Sequence, residues 1–275
     1  MEVADALNAY QQIAERPKNR FAGVIEALSA GGVVGSEDMS IDGDKFAAYQ
    51  HANDYKTNFP KYWDQFGRPG VWERKQLEHF LSIELMAPYK DGTYIDVAAA
   101  GSPVADVIAS QYGARAYRQD IRWPAGVDEE LRRIGSNANA IPLADASVDG
   151  IVTHNAIEHF EEHFDRGFMI EAARLLKPGG VVCIIPFVPN IPGYSVTAPD
   201  FWGVKFGKDA AAPSFDERLP LVVNNECRQR LLKIHSPETL TEDCRMAGGL
   251  KWALVNLTNA RAFGFQRAML VGRKL

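Results

Sequence analysis

The chain has 275 residues, 46% of them hydrophobic and 24% charged, with a formal net charge of −5. That balance fits a globular α/β protein with a full core and excludes a disordered chain. The negative total argues against general attraction to nucleic acid or to an anionic membrane, so neither is expected as a partner. Cys183, Cys227 and Cys244 are widely spaced and form no CxxC pair, so they read as structural thiols of a reducing compartment. The first five residues carry acids where a secretory signal carries bases, and no apolar stretch is long enough to span a bilayer. A cytoplasmic location is the expectation.

In chain order, residues 1 to about 30 read as helix, with Ala6, Tyr10, Ile13 and Ala14 at helical spacing. A Gly-rich break follows at Gly31, Gly32 and Gly35. Residues 46–72 are dense in aromatics, and 71–87 reads as a helix with Leu77, Phe80, Leu81 and Leu85 on one face, ending before Pro88. Short apolar runs then alternate with helical stretches. Tyr94–Val97, Ala114–Arg118, Gly150–Thr153 and Val181–Pro186 read as strands. Pro103–Tyr112, a stretch from about Ala156, and Glu171–Leu176 read as helices. Ser236-Pro237 opens a further helix that Gly248-Gly249 closes, and the strands Trp252–Leu257 and Arg267–Gly272 follow with no helix between them.

This alternation predicts an α/β fold: a Rossmann-like, mostly parallel seven-stranded sheet with an antiparallel C-terminal strand and a helical N-terminal extension. The expected division is 1–87 as extension and 88–275 as the main domain, with an insertion at 188–235 that is longer than a plain crossover. Ligands of such sheets lie at the carboxyl ends of the strands.

Two features sit at those ends. Between a strand and a helix, Asp96-Val97-Ala98-Ala99-Ala100-Gly101-Ser102-Pro103 combines small side chains, which let a ligand reach the backbone, with an N-cap serine and a first-turn proline. Asp120 closes the next strand, where a carboxylate accepts hydrogen bonds from both hydroxyls of a ribose. A tight packed turn and a solvated Asp explain the same residues one by one. Together they favour a nucleoside cofactor, without choosing between a dinucleotide and S-adenosylmethionine.

Further along come Asn137-Ala138-Asn139-Ala140-Ile141-Pro142-Leu143, Ser147-Val148-Asp149, Glu158-His159 and Leu176-Lys177-Pro178-Gly179-Gly180. In this order and at this spacing, the chain resembles the class I S-adenosylmethionine-dependent methyltransferases. The likeness is to their ubiquinone-biosynthesis-like and sugar-modifying (type 11) branch, across roughly 90–185 and more weakly from 236 onward. The resemblance implies S-adenosyl-L-methionine as cofactor. It places Asp96 near the methionine moiety and the backbone from Ala98 through Ala100 to Gly101 along methionine and ribose. Asp120 falls on the ribose hydroxyls, Asn137 on the adenine amine with Ala138 packed nearby, and Thr153 and His154 face the donor methyl. Where the branch carries glycine, this chain has Ala98, Ala100 and Ser102, and each added side chain restricts positive φ and narrows the approach.

His154 and His159 are the candidate catalytic residues. A neutral histidine suits a base that relieves a hydroxyl acceptor of its proton, and His154 takes that role first; His159 reads mainly as a packing and hydrogen-bonding residue. No metal is expected. The expected acceptor is a small molecule, sugar-like or polyhydroxylated, O-methylated beneath the aromatic insertion with its Tyr194, Phe201, Trp202, Phe206 and Phe215. These rings equally suit a small core of their own. A homo-oligomer is carried as an arrangement of the aromatic 46–72 region. Two other functions stand beside this one. The altered loop suits a non-catalytic nucleotide-binding scaffold, and His159-x-x-Glu162-His163 suits a zinc hydrolase if both histidines lie on one helix.

Overall fold

The computed structural model describes residues 20–99, 101–203, 211–263 and 268–275. The predicted helix before residue 20 lies outside them. Helix α1 is Arg20–Gly31, strand β1 is Val34–Met39, and α2 to α5 are Gly43–Ala52, Tyr55–Asn58, Pro60–Phe66 and Trp72–Met86. The main unit follows with β2 Thr93–Val97, α6 Val104–Tyr112, β3 Arg115–Asp120, β4 Gly126–Asp128, β5 Arg133–Gly135 and β6 Val148–His154. Then come α7 Phe164–Leu175, β7 Leu176–Phe187, β8 Tyr194–Thr197, β9 Leu221–Val223, β10 Leu232–Ile234, α8 Pro237–Met246, β11 Leu250–Leu257 and β12 Ala268–Lys274.

The main sheet runs β1-β11-β12-β7-β6-β2-β3-β5-β4. The β12 strand is antiparallel to both β7 and β11, and β4 is antiparallel to β5. Every other pairing is parallel. The predicted α/β sheet is therefore present with its antiparallel C-terminal strand, but among the described residues it has nine strands rather than seven.

The additions lie at its edges. The Gly-rich break contains β1, whose Val34 pairs with Trp252 and whose Met39 pairs with Leu257. Its sequence Val-Gly-Ser-Glu-Asp-Met has one buried residue and no apolar alternation, so only the partner strand makes it a strand. Glu37 pairs with Arg273 at 3.0 Å, and Asp38 accepts from Asn256. Charged side chains of this kind also discourage pairing with other chains along an edge.

Side chains alternate along the strands and divide the core in two. On one face Ile95, Val97, Ile151, Ile184 and Trp252 pack against α1, α7 and α8. On the other, Tyr94, Val152, Ile185 and Val271 pack against α2, α5 and α6. Local signals set the helix ends. Ser236 and Thr239 form a reciprocal capping box on α8, Gly113 ends α6 at φ +65°, and Ala87 ends α5 just before Pro88.

One predicted helix is absent. From Ala156 the chain makes only a 3₁₀ turn at Ile157–His159, and α7 starts at Phe164. Glu162 is left-handed at φ +47° and its N–H bonds to Ser214 O, so the insertion holds this stretch out of helical form. No described helix is long and apolar enough to cross a membrane.

Candidate active site

The strand ends carrying the predicted ligand-binding residues are neighbours, in the order β6-β2-β3-β5. The loop after β2 keeps a glycine-like shape without glycine: Ala98 sits at φ +52°, a region that costs an L-residue roughly 1–2 kcal/mol. Gln119 holds it there. The Gln119 carbonyl accepts from Ala99 N–H at 2.9 Å, and its side-chain oxygen accepts from Ala98 N–H at 3.1 Å. Its amide donates across to the Ser136 carbonyl, joining the loop after β2 to the loop after β5. Nothing lies within 4 Å of where a Cβ on Gly101 would stand, so the loop has open space at that point. Ala100 lies outside the described residues.

Asp120 ends β3 almost fully buried, and its Oδ1 accepts from the backbone N–H and the Nε of Arg122 at 3.0 and 3.2 Å. Asn137 is half-buried after β5, and Ala138 beside it is buried. Thr153 is buried near the end of β6, and among the described residues its hydroxyl has no hydrogen-bond partner. Asp96, at 2% exposure, has no hydrogen-bond partner among the described residues for either carboxylate oxygen. Buried polar atoms are almost always satisfied. Orphaned acceptors beside a loop with open space therefore fit a ligand that brings N–H and O–H donors.

Asp96 is level with Val152 across the β2–β6 ladder, so His154, two residues on, projects from the same face. That face is covered by α5, not open. The His154 side chain is only 5% exposed, with Nδ1 3.5 Å from Asp96 and Nε2 3.0 Å from the Ser82 hydroxyl. The His79 ring meets it edge-on at 4.7 Å. Around His79, Tyr55 lies 2.7 Å from Nδ1 and Tyr62 3.3 Å from Nε2, and Tyr49 reaches Tyr55 at 2.7 Å. Burial, reinforced by His154 and Lys75, holds the His79 imidazole well below its ordinary value, so it stays neutral. Next to it, Glu78 is fully buried and accepts from Asn155 Nδ2 at 2.6 Å.

Sequence reasoning missed Gln119, Ser82, Glu78 and His79. Gln119 had a usable signal in its place beside Asp120 at a strand end. The α5 residues had none, because on a helix they look like an ordinary polar stripe.

The other histidines serve the insertion. His159 Nδ1 lies 2.6 Å from the Leu231 carbonyl, and His163 lies 3.2 Å from Glu217 and 3.5 Å from Asp216. They do not share a helix, so the paired geometry needed by the zinc hydrolase reading is not formed. The insertion folds as a small sheet, β10-β8-β9, with Trp202 Nε1 donating to Thr197. Arg218 of the insertion binds Asp216, Glu242 and Asp243. Phe206 lies outside the described residues.

Residues 91–184 match a protein family described as a methyltransferase domain. No curated protein matches the chain. Among solved structures, the chain is similar to the 1,6-didemethyltoxoflavin-N1-methyltransferase of Burkholderia thailandensis, at 15% identity over 88% of this chain and 94% of that one, with a TM-score of 0.49. It is also similar to the geranyl diphosphate C-methyltransferase of Streptomyces coelicolor A3(2), at 11% identity over 74% and 82%, with a TM-score of 0.45. A third is the putative methyltransferase held in complex with the Trm112 activator of Haloferax volcanii, at 15% identity over 86% and 99%, with a TM-score of 0.44. The ordered sequence motifs, the sheet that carries them and the family match fall on the same stretch: residues 91–184 are similar to a methyltransferase domain.

Proposed function

We propose that this domain binds S-adenosylmethionine across the ends of β2, β3 and β6 and methylates a small-molecule hydroxyl acceptor, sugar-like or polyhydroxylated. The observation that carries the donor placement is the pair of orphaned Asp96 oxygens beside the left-handed Ala98 loop, one strand away from Asp120. Asp120 would hold the ribose hydroxyls, Asp96 the methionine end, and Asn137 the adenine amine. When bound, the donor supplies an electrophilic methyl group. What the chain contributes is alignment and removal of the acceptor's proton, for which His154, 3.5 Å from Asp96, is the candidate base.

In this reading, the 1–87 extension, through its described residues 20–87, covers the acceptor side of the 88–275 domain. The covering position of α5 over His154 supports it. The half-buried Tyr194, Phe201 and Trp202 of the insertion give the sugar-like acceptor its apolar surface. Free Cys183, Cys227 and Cys244 accord with a reducing cytoplasm, and burial pushes the Cys183 thiol up to about 12. A homo-oligomer through the 46–72 region belongs to the same proposal.

The altered loop does not favour the scaffold reading, since Ala98 takes the conformation a glycine would. Calorimetric titration with S-adenosylmethionine and S-adenosylhomocysteine tests the choice. Saturable binding of both is expected; binding of neither removes the donor site and with it the methyltransferase reading.

A further inference from the structure

Gln119 is buried on β3, level with Val97 of β2 on one side and Ile134 of β5 on the other. Its side chain reaches the first residue beyond each of those two strands. The Oε1 accepts from Ala98 N–H at 3.1 Å, and the Nε2 donates to the Ser136 carbonyl, with the Ser136 hydroxyl 3.4 Å away. Both directions are fixed by chemistry: a backbone N–H only donates and a carbonyl only accepts, so one orientation of the amide satisfies both. The main-chain carbonyl of Gln119 adds a bond from Ala99 N–H at 2.9 Å. One residue thus holds two loops, and the first of them contains an alanine at φ +52°.

We infer that Gln119 is a positioning residue for donor binding: its amide replaces the conformational freedom of a glycine at 98 and ties that loop to the one carrying Asn137. The inference rests on the donor placement proposed above, in which the first loop meets methionine and ribose and the second meets adenine. Because the side chain is buried and both ends of its amide are taken by backbone groups, Gln119 acts through the loops. The left-handed region suits glycine and disfavours alanine, so hydrogen bonds, rather than the preference of the residue, give the loop its shape before a ligand arrives. Without the amide, Ala98 N–H and the Ser136 carbonyl lose a partner, and the alanine is free to leave the left-handed region. Donor binding must then restore the shape, and affinity falls by what that restoration costs. With glycine at 98 the same restoration costs little. The two positions are therefore coupled: alanine is tolerated at 98 because glutamine stands at 119.

The test compares one substitution in two backgrounds of the full chain, by calorimetric titration with S-adenosylhomocysteine. Gln119→Met keeps the bulk of the side chain and removes its hydrogen bonds. In the chain with Ala98 it is expected to weaken binding roughly 5- to 30-fold, the equivalent of the 1–2 kcal/mol by which the left-handed region disfavours an L-residue. In the chain carrying Ala98→Gly, the same change is expected to weaken binding less than about 3-fold. Equal losses in the two backgrounds, or no loss in either, overturn the inference. Amide NMR of the donor-free chain gives a second readout. In the unaltered protein the Ala98 N–H is expected to exchange with water at least roughly 10-fold more slowly than an unbonded amide. Fast exchange there overturns the clamp, even if the variant fails to fold. In Gln119→Met the Asn137 and Ala138 amide resonances are expected to shift together with that of Ala98, and unmoved resonances overturn the tie between the loops. Absent binding to the unaltered chain defeats the donor site itself, a result that the exchange data separate from failure of the clamp.

Discussion

Asp96 and Asp165 are both sealed from water, at 2% and 0% exposure, yet their surroundings differ in kind. Asp165, on α7, meets Lys233 Nζ at 2.6 Å and His235 Nε2 at 3.0 Å. Nearby, Asp243 is gripped by Arg218 at 2.7 Å, and Phe187 stacks on the His235 ring. Burial alone would raise the Asp165 carboxyl. The His235 hydrogen bond and charge and the Lys233 ammonium outweigh it and hold the group well below the carboxylate range. This cluster supplies its own counter-charges and fastens the insertion to α7 and α8. Among the described residues Asp96 has no hydrogen-bond partner, and His154 Nδ1 stands 3.5 Å from its Oδ1. One cluster answers its own charge as folded, and the other leaves its charge unanswered by the described residues. Burial alone thus says little about a carboxylate's role; what distinguishes the two is whether the protein itself answers the charge.

The contrast predicts effects of different size and sign. Replacing Asp165 by Asn strands the buried Lys233 ammonium and should cost about 3–5 kcal/mol in denaturant unfolding. Because its folded value lies below the unfolded one, its stabilisation is full above the ordinary carboxylate value of about 3.9 and fades as pH falls toward the folded value. The variant's acid unfolding should accordingly lack part of the wild-type slope. A loss under 1 kcal/mol would show that the latch is not one.

Asp120→Ala removes an acceptor charged with two donor hydroxyls. It should weaken S-adenosylhomocysteine by about 2–4 kcal/mol, roughly 30- to 700-fold. Equal affinity would move the donor elsewhere. Asp96→Asn sharpens the comparison most, because it should act in the opposite sense to the Asp165 change. Neutralising an unanswered buried carboxylate should raise the stability of the ligand-free chain by about 1–2 kcal/mol while weakening the donor. Destabilisation there would mean that the folded protein already compensates Asp96.

Much of the donor half was legible because its signals are local. Strand ends and the Ser-Pro helix start lie within short windows, and the structure has both, with Asp96 and Asp120 at the ends of neighbouring strands as the proposed donor site requires. The acceptor side was not legible. His154 next to Asp96 follows from strand register, but Ser82 and His79 come from a helix whose placement over the sheet is set by packing. Strand β1 is a strand only because β11 lies beside it. The helix expected from Ala156 fails for a similar reason, since its Glu-rich sequence favours helix and its contacts to the insertion override that preference.

The β1–β11 ladder also bears on the order in which the molecule assembles. Val34 pairs with Trp252, and Ile41 N–H bonds to the Asn259 side chain across 218 residues of chain. During synthesis the parallel core from β2 to β7 leaves the ribosome with its neighbours already beside it, while the edge strand waits for almost the whole chain to follow. The unit from β2 to β7 is thus built before β1 can be fastened to it, since β11 joins that unit only through β12, the strand that follows it in the chain.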